Sequence, residues 1–454
     1  MKTTLAEVAI ALGVPAPQPA ASLVEGWSVD SRSLQPGELF FALRGPRHDG
    51  HDFVTQALAR GAAGAVVERP VEGASGPLLL VEDTLAALHA AARWARQRFA
   101  GQVVAVTGSA GKTTTKEIIA ELLSVAMPVG KTEGNLNNHV GVPLTILRLP
   151  EQARVAVLEL AMNHRGEIRR LAELARPNIG VVTNVGRAHL GFFDSPEELA
   201  LAKRELIEAL PEDGVAVLNA DDPQVAAFAR IHPGRSVSFG LGPSAQVRAE
   251  QLRWRADGSC FRVQGVLFEC PLPGRHGVLN TLAGLAVARL FGLELEALRE
   301  VVRRLQPGGM RGRRFTRRGI TVFDDSYNAN PEAVRAMLEL LAATPARRRI
   351  AVLGEMLELG RWTEALHRET GRHVAAAGVD LLVGIRGAAR FIVEEALRSG
   401  LPANAAFFFE EPTEAGRFLR DRLEEGDAVL FKGSRAVQVE KALAEVLGRA
   451  EVTD

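Results

Sequence analysis

From residue 100 onward, continuous apolar runs alternate with amphipathic stretches. QVVAVTG is followed by KTTTKEIIAELLSV, VAVLELA by EIRRLAELA, IGVVTNV by PEELALAKRELIEAL, and GVAVLNADD closes the series. Runs that stay apolar predict strands buried on both faces. Helical periodicity between them predicts crossover connections, and so a parallel sheet covered on both sides. At 236–270 the pattern shifts to alternation in VSFG, VRAEQLRWRA and CFRVQGVLFEC, which predicts an antiparallel addition. QPGGMRG at 306–312 has linker composition. Beyond it ITVFDDS, RRIAVLGEM, DLLVGIRG, AAFFFE and DAVLFKGS are each followed by a helical stretch, which predicts a doubly wound domain. The first 99 residues mix short strands and helices, and LAALHAAARWARQRF leads out of them. The expectation is an α/β chain in three domains: 1–99, 100–310 and 311–454.

Composition narrows the function classes. The formal net charge is zero over 454 residues, so no broad nucleic-acid or anionic-membrane surface is expected. No apolar run approaches the roughly 20 residues of a membrane helix, so membrane insertion is not expected. MKTTLAEVAIALGVPAPQ reads as a short amphipathic helix rather than a signal peptide. Two cysteines without ligand spacing fit reduced thiols in the cytoplasm. Lysine is scarce. Of 54 basic residues only Lys2, Lys112, Lys116, Lys131, Lys203, Lys432 and Lys441 are lysine. A buried lysine in such a chain points to chemistry that arginine cannot supply, as a compact charge on phosphate or a reactive amine. Leftover surface lysine still accounts for Lys2 and Lys441.

VTGSAGKTTTKE, residues 106–117, follows an apolar strand and opens a helix. Backbone N–H groups of such a turn wrap polyphosphate. Lys112 would reach the terminal phosphates, and Thr113 or Thr114 would hold magnesium. The strict G-x-x-x-x-G-K-[ST] pattern is not met, because Val106 stands at its first glycine. A plain glycine turn before a helix is the competing reading. No N-K-x-D motif is present, which disfavours a GTPase.

Two neighbouring strands end in Glu159 and, further on, His189. A lone Glu or His at a strand end is more often structural. Two of them beside a phosphate loop are candidates for metal and nucleophile positioning. Lys203 lies mid-helix among alanines and leucines. The ordinary reading is a solvated charge; the alternative is a free amine of depressed pKa that forms a carbamate with carbon dioxide and so becomes a magnesium ligand. VFDDSYNANP, 322–331, holds the only tyrosine and two of eleven asparagines, and reads as a turn or a site.

TGSAGKTTTKE, NLNNHVGVPLTIL, LELAMNHRGEI, TNVGRAHL, ALAKRE, HGVLNTLAG, DDSYNANP, VLGEMLELG and FKGSR together resemble, in this order, the Mur ligases. DSRSLQPGELFFALRGPRHDGHDF extends the resemblance toward the N-terminus. It implies an N-terminal domain for the UDP end of the substrate, a central P-loop ATPase-type domain, and a C-terminal Rossmann-like domain that closes over the site. Thr107, Gly108, Ser109, Ala110, Gly111, Lys112, Thr113 and Thr114 then resemble the ATP triphosphate cradle. Glu159, His189 and a carbamylated Lys203 resemble magnesium ligands, with two ions implied. Asn280 resembles the adenine-binding Asn, Arg313 an arginine reaching ATP phosphates with Arg311 and Arg314 close by, and Asp325 a ribose contact. Ser31, Arg32, Arg47 and His48 fall where the uridine end binds. Asn135 and Asn138 fall near the diphosphate–muramoyl part, and His164 is a further substrate candidate. Tyr327, Asn328 and Asn330 would face the incoming dipeptide. Gly191, where Glu is common after His-Leu, and FFDS, in place of Phe-Gly-Ser, depart from the family pattern.

The implied reaction is ATP-driven amide formation through an acyl phosphate. Its small-molecule substrates are UDP-N-acetylmuramoyl-tripeptide and D-alanyl-D-alanine, and the expected enzyme is a monomer with no nucleic-acid partner. A folylpolyglutamate-synthetase-like ligase and a nucleotide-gated scaffold without chemistry are the alternatives.

Overall fold

The structure is a computed structural model that describes residues 2–255 and 257–448. Its centre is a seven-stranded, all-parallel sheet. The strand order is Val247–Arg248, Arg235–Gly240, Val215–Asn219, Ile179–Val182, Gln102–Thr107, Val155–Glu159 and Val129–Lys131. Along Gln102–Thr107, Val103 and Ala105 enter one apolar cluster, while Val104 and Val106 enter the other. That two-residue period is the pleat of a strand with both faces covered. The helices Lys112–Leu123 and Gly274–Leu290 pack against each other and share the cluster of Val104 and Val106. The helices Glu167–Ala175 and Pro196–Glu208 join the other.

Chain order reverses at Gln102–Thr107. The chain leaves it for the Val129–Lys131 edge, returns through Val155–Glu159, and then continues on the opposite side with Ile179–Val182. In an open α/β sheet such a switch point opens a crevice at the carboxyl ends of the strands. The phosphate-loop candidate, Glu159 and the His189 segment all follow these three strands.

The antiparallel addition is smaller than the alternation predicts. Glu250–Arg255, Gly258–Val263 and Val266–Cys270 form it, but VSFG lies in Arg235–Gly240, a parallel strand of the central sheet. Only one face of that strand is well buried, so it alternates like a hairpin strand although its partners are parallel.

The C-terminal sheet runs Arg313–Arg317, Ile320–Asp325, Asp427–Lys432, Arg348–Gly354, Leu381–Ile385 and Ala406–Phe409. Five of these strands are the predicted parallel series. The sixth, Arg313–Arg317, is an antiparallel edge that the apolar pattern does not reveal, because RRFTR is mostly charged. Charge on an edge strand guards it against further pairing. A four-stranded parallel sheet, Gly26–Ser28, Glu38–Phe41, Gly64–Val67 and Leu78–Leu80, forms the N-terminal part. Arg148 holds it to the central part, donating from Nε and a terminal nitrogen to the Trp27 carbonyl at 2.9 and 2.7 Å. Among the described residues no helix is long and apolar enough to cross a membrane.

Candidate active site

The phosphate loop is shaped by two close approaches. Gly108 has φ +149°, and a Cβ there would lie 1.9 Å from Thr183 Oγ1. Gly111 has φ +81°, and its Cβ would lie 2.5 Å from Asn280 Oδ1. Only glycine fits either position without displacing a neighbour. The second contact brings the Gly274–Leu290 helix onto the loop, so Asn280 stands against Gly111.

Not every loop group is free to hold phosphate. The Ser109 N–H donates to the Asn184 carbonyl at 3.0 Å, and the Ala110 N–H to Asn184 Oδ1 at 2.9 Å. The Ser109 hydroxyl donates to the Gly186 carbonyl at 3.1 Å, and the buried Thr107 hydroxyl to the Leu160 carbonyl at 2.9 Å. Thr107, Ser109 and Ala110 therefore build the loop's frame rather than line it. The anion-binding groups left are the first N–H groups of the helix Lys112–Leu123, whose hydrogen bonding begins with Thr115 N–H to Gly111 O. Thr113 and Thr114 lie in this first turn, and their hydroxyls donate no hydrogen bond within the described residues. Lys112 Nζ bends over the turn to the Gly108 carbonyl at 2.8 Å. Burial pushes this ammonium below its usual range, against the opposing pull of Glu159.

Glu159 ends its strand fully inside. Its Oε1 accepts from Asn137 Nδ2 at 2.7 Å, while Oε2 is buried with no partner. Lys203 is buried in the helix Pro196–Glu208 beside Leu199, Ala202 and Leu206. Burial, and then the nearby charge of Lys112, holds its amine well below the ordinary lysine range. The solvated-charge reading of Lys203 is thereby excluded, and the scarcity of lysine did mark a buried amine. Two further lysines are buried. Lys116 donates to the Thr132 carbonyl at 2.5 Å and meets Glu117 at 2.7 Å. Lys432 pairs with Asp325 and donates to the Asn328 carbonyl at 3.0 Å.

His189 has φ +65° and is buried enough that its imidazolium is disfavoured. Its Nδ1 lies 2.5 Å from Glu358 Oε2, and this carboxylate opposes the effect of burial on the ring. Glu358 belongs to the C-terminal part. One carboxylate from each part, Glu159 and Glu358, thus acts on Lys112.

These groups suit magnesium, a hard cation that takes oxygen ligands and substrate phosphates. The unpartnered Glu159 Oε2 is such a donor. Lys203 as an ammonium is not; as a neutral amine that takes up carbon dioxide it becomes one. Among the described residues no group of three or more His, Cys, Asp or Glu side chains could hold a metal by itself.

Several candidates take other roles. Arg313 is exposed on the edge strand, with its guanidinium 5.3 Å from the Phe315 ring centre. Arg311 instead lies near enough to depress the Lys112 ammonium, and stacks 3.8 Å from the Tyr327 ring centre. Of the three crowded arginines, Arg311 is the one whose charge bears on Lys112. Asn330 Oδ1 caps the helix Pro331–Ala343, accepting from the Ala333 N–H at 2.9 Å. Asn138 Oδ1 likewise accepts from Val140 and Gly141 N–H groups. Asn135 and Asn328 are exposed. His164 is exposed, packing 5.2 Å from Phe192 with its Nδ1 3.1 Å from Glu167. In the N-terminal part Ser31 Oγ donates to Gln56 at 3.1 Å, Arg32 is clasped by Asp30, and Arg47 and His48 are exposed. Sequence reasoning did not single out Asn137, Asn184, Glu358 or Lys432, and left open which of Arg311, Arg313 and Arg314 reaches ATP. Lys432 carried a signal, being one of only seven lysines.

Comparison with known proteins agrees with this geometry. Family profiles described as Mur ligase family, catalytic domain, Mur ligase middle domain, and Mur ligase, glutamate ligase domain match residues 23–131, 106–288 and 310–435. The chain is 39% identical over 422 residues to the UDP-N-acetylmuramoyl-tripeptide–D-alanyl-D-alanine ligase of Synechocystis sp., covering 92% of this chain and 91% of that one. It is 33% identical to the Bacillus subtilis ligase of the same name, covering 95% of each chain. A crystal structure of MurF from Acinetobacter baumannii superposes with TM-score 0.89 at 31% identity, covering 98% of this chain and 99% of that one. MurF ligase from Thermotoga maritima in complex with ADP gives 0.83 at 31% identity, covering 93% and 97%. Mycobacterium tuberculosis folylpolyglutamate synthase, at 17% identity and TM-score 0.63, covering 80% and 95%, shares the fold alone.

Proposed function

The chain belongs to the Mur ligase family, and from this premise we propose how its crevice carries out an ATP-driven peptide ligation. The chain is an ATP-dependent ligase that adds D-alanyl-D-alanine to UDP-N-acetylmuramoyl-tripeptide. One observation carries the assignment of its site. The free helix N–H groups at Lys112, the unpartnered Glu159 Oε2 and the buried Lys203 amine, whose ammonium is disfavoured, converge at one switch point.

A carboxylate does not acylate an amine unaided. The tripeptide's terminal carboxylate oxygen attacks the γ-phosphorus of ATP, the bond to the bridging oxygen breaks, and ADP leaves. The neutral amine of D-alanyl-D-alanine then attacks the acyl carbon. The tetrahedral adduct expels phosphate, and the amine's proton is lost. The chain contributes position and charge. The helix N-terminus and Lys112 hold the phosphates, Arg311 adds charge from the C-terminal side, and Asn280 braces the loop beside the adenine. Glu159, His189 and carbamylated Lys203 would hold magnesium, which neutralises phosphate charge when bound. Asn137 fixes the orientation of Glu159. Asp325 is held by Lys432 at the ribose end, and Tyr327 with Asn328 faces the dipeptide. Burial of the crevice under the C-terminal part protects the acyl phosphate from water.

Residues 1–99 serve as the UDP-substrate domain, 100–310 as the ATP-binding ligase domain and 311–454 as the closing domain. The enzyme acts as a cytoplasmic monomer. Its free cysteines, Cys260 and Cys270, suit a reducing compartment. Phosphate release across substrate pairs tests the assignment. UDP-N-acetylmuramoyl-tripeptide with D-alanyl-D-alanine should support turnover and folate with glutamate should not; the reverse result would overturn it.

A further inference from the structure

The segment Asn184–Phe193 joins the phosphate loop to the C-terminal part. At its start Asn184 and Gly186 frame the loop through Ser109 and Ala110. At the next residue the side chain of Arg187 leaves the central part altogether. Its Nε donates to Glu332 Oε1 at 2.7 Å, and its backbone N–H to Glu332 Oε2 at 3.0 Å. Its two terminal nitrogens donate to both oxygens of Glu369 at 2.6 and 2.8 Å. Glu332 opens the helix Pro331–Ala343, directly after the DDSYNANP turn, and Glu369 lies on Thr363–Ala376. All three side chains are more than two-thirds buried. A fork-to-fork arginine pair in such a place is directional and only partly screened.

The backbone on either side of His189 is joined to the same part. The Gly191 N–H donates to the Glu358 carbonyl at 2.8 Å, and a Cβ on Gly191 would lie 2.5 Å from the Gly360 nitrogen. Arg361 donates to the Asp194 carbonyl. Leu190 and Phe193 share an apolar cluster with Met356 and Leu359. Glycine at 191, where the family commonly has Glu, is what lets the two backbones touch.

We propose that Arg187 is a positioning residue: it fastens the His189 segment to Glu332 and Glu369, so closure of the C-terminal part sets the geometry of the phosphate loop. Arg187 itself touches no reacting atom. The turn bearing Tyr327 and Asn328 is drawn in through Glu332 at the same time. The effect on turnover rests on the ligase reading; closure does not, and is measured without chemistry.

The test uses the full chain with AMP-PNP, magnesium and UDP-N-acetylmuramoyl-tripeptide, with small-angle scattering to follow closure. Wild type should contract on adding these ligands. Arg187→Ala and Glu369→Gln should contract less, with kcat down about tenfold and the KM for D-alanyl-D-alanine raised, while the KM for ATP changes less than about threefold. Arg187→Lys should recover part of the contraction and part of kcat, because a point charge replaces half the fork. If Arg187→Ala does not fold, Glu369→Gln, which keeps the side chain's size and removes only its charge, decides. Full contraction and wild-type kcat in Glu369→Gln would overturn the proposal. So would loss of kcat with full contraction. Contraction lost in the variants while even wild type fails to ligate would sink the ligase reading and leave the latch.

Discussion

Asn137 Nδ2 donates to Glu159 Oε1 at 2.7 Å, and the other carboxylate oxygen of Glu159 is buried with nothing to bind. One oxygen is thus fixed and the other is aimed. Groups that orient a metal ligand typically change metal affinity 10–100-fold when removed. Asn137→Ala should therefore raise the magnesium concentration for half-maximal rate by about tenfold or more. The KM for D-alanyl-D-alanine should stay near wild type. An unchanged magnesium dependence would free Asn137 from this role.

Burial, and then the Lys112 charge, oppose the Lys203 ammonium and favour its neutral amine far more than in an ordinary lysine. Only the neutral amine reacts with carbon dioxide. Enzyme equilibrated with ¹³C-bicarbonate should show one slowly exchanging carbamate carbon resonance, absent from Lys203→Ala. That variant should lose at least about a hundredfold in kcat and regain part of it with short carboxylic acids. A fully active Lys203→Ala would remove the residue from the mechanism.

Arg311 stacks on Tyr327 with its charge near Lys112, while Arg313, two positions on, is exposed beside Phe315. Arg311→Ala should raise the KM for ATP or lower kcat by about tenfold, as loss of one charge on phosphate does. Arg313→Ala should stay within about twofold of wild type, as an exposed substitution does. The opposite ranking would return the phosphate contact to Arg313.

Asp49 makes the N-terminal part sensitive to acid. Its partial burial opposes ionisation, but the His51 N–H, the His51 ring at 2.6 Å and Arg69 at 3.0 Å hold it well below its ordinary value of 3.8. His51 Nε2 accepts from the Glu68 N–H at 2.8 Å, so Nδ1 carries the proton that Asp49 receives. A depressed carboxylate stabilises the fold above its ordinary value and ceases to do so as pH falls through its lower folded value. Asp49→Asn should cost about 2 kcal/mol at neutral pH. The gap to wild type in urea melts should begin to close below about pH 4. A gap that does not shrink in acid would exclude the ion pair as its source.

The parallel sheets were legible because strands buried on both faces write continuous apolar runs, and these are the strands that carry Lys112, Glu159 and His189. Lys203 was legible from its rarity and its apolar neighbours. The edge strand Arg313–Arg317 was not, since its exposed faces carry charge instead of a pattern. Asn330 read as a ligand candidate because capping and binding use the same residue type. Asn137 and Glu358 stayed hidden for a different reason. Each acts on a residue at least 22 positions away, and local spacing holds no record of that.

The central claim is acyl-phosphate ligation at the Lys112 crevice, and oxygen transfer tests it most directly. With UDP-N-acetylmuramoyl-tripeptide labelled by ¹⁸O in its terminal carboxylate, plus ATP and D-alanyl-D-alanine, mass spectrometry of the released phosphate should find one ¹⁸O from the carboxylate. Lys112→Ala should release almost none. Phosphate that forms alongside the pentapeptide but carries only unlabelled oxygen, or equal transfer by Lys112→Ala, would contradict the account.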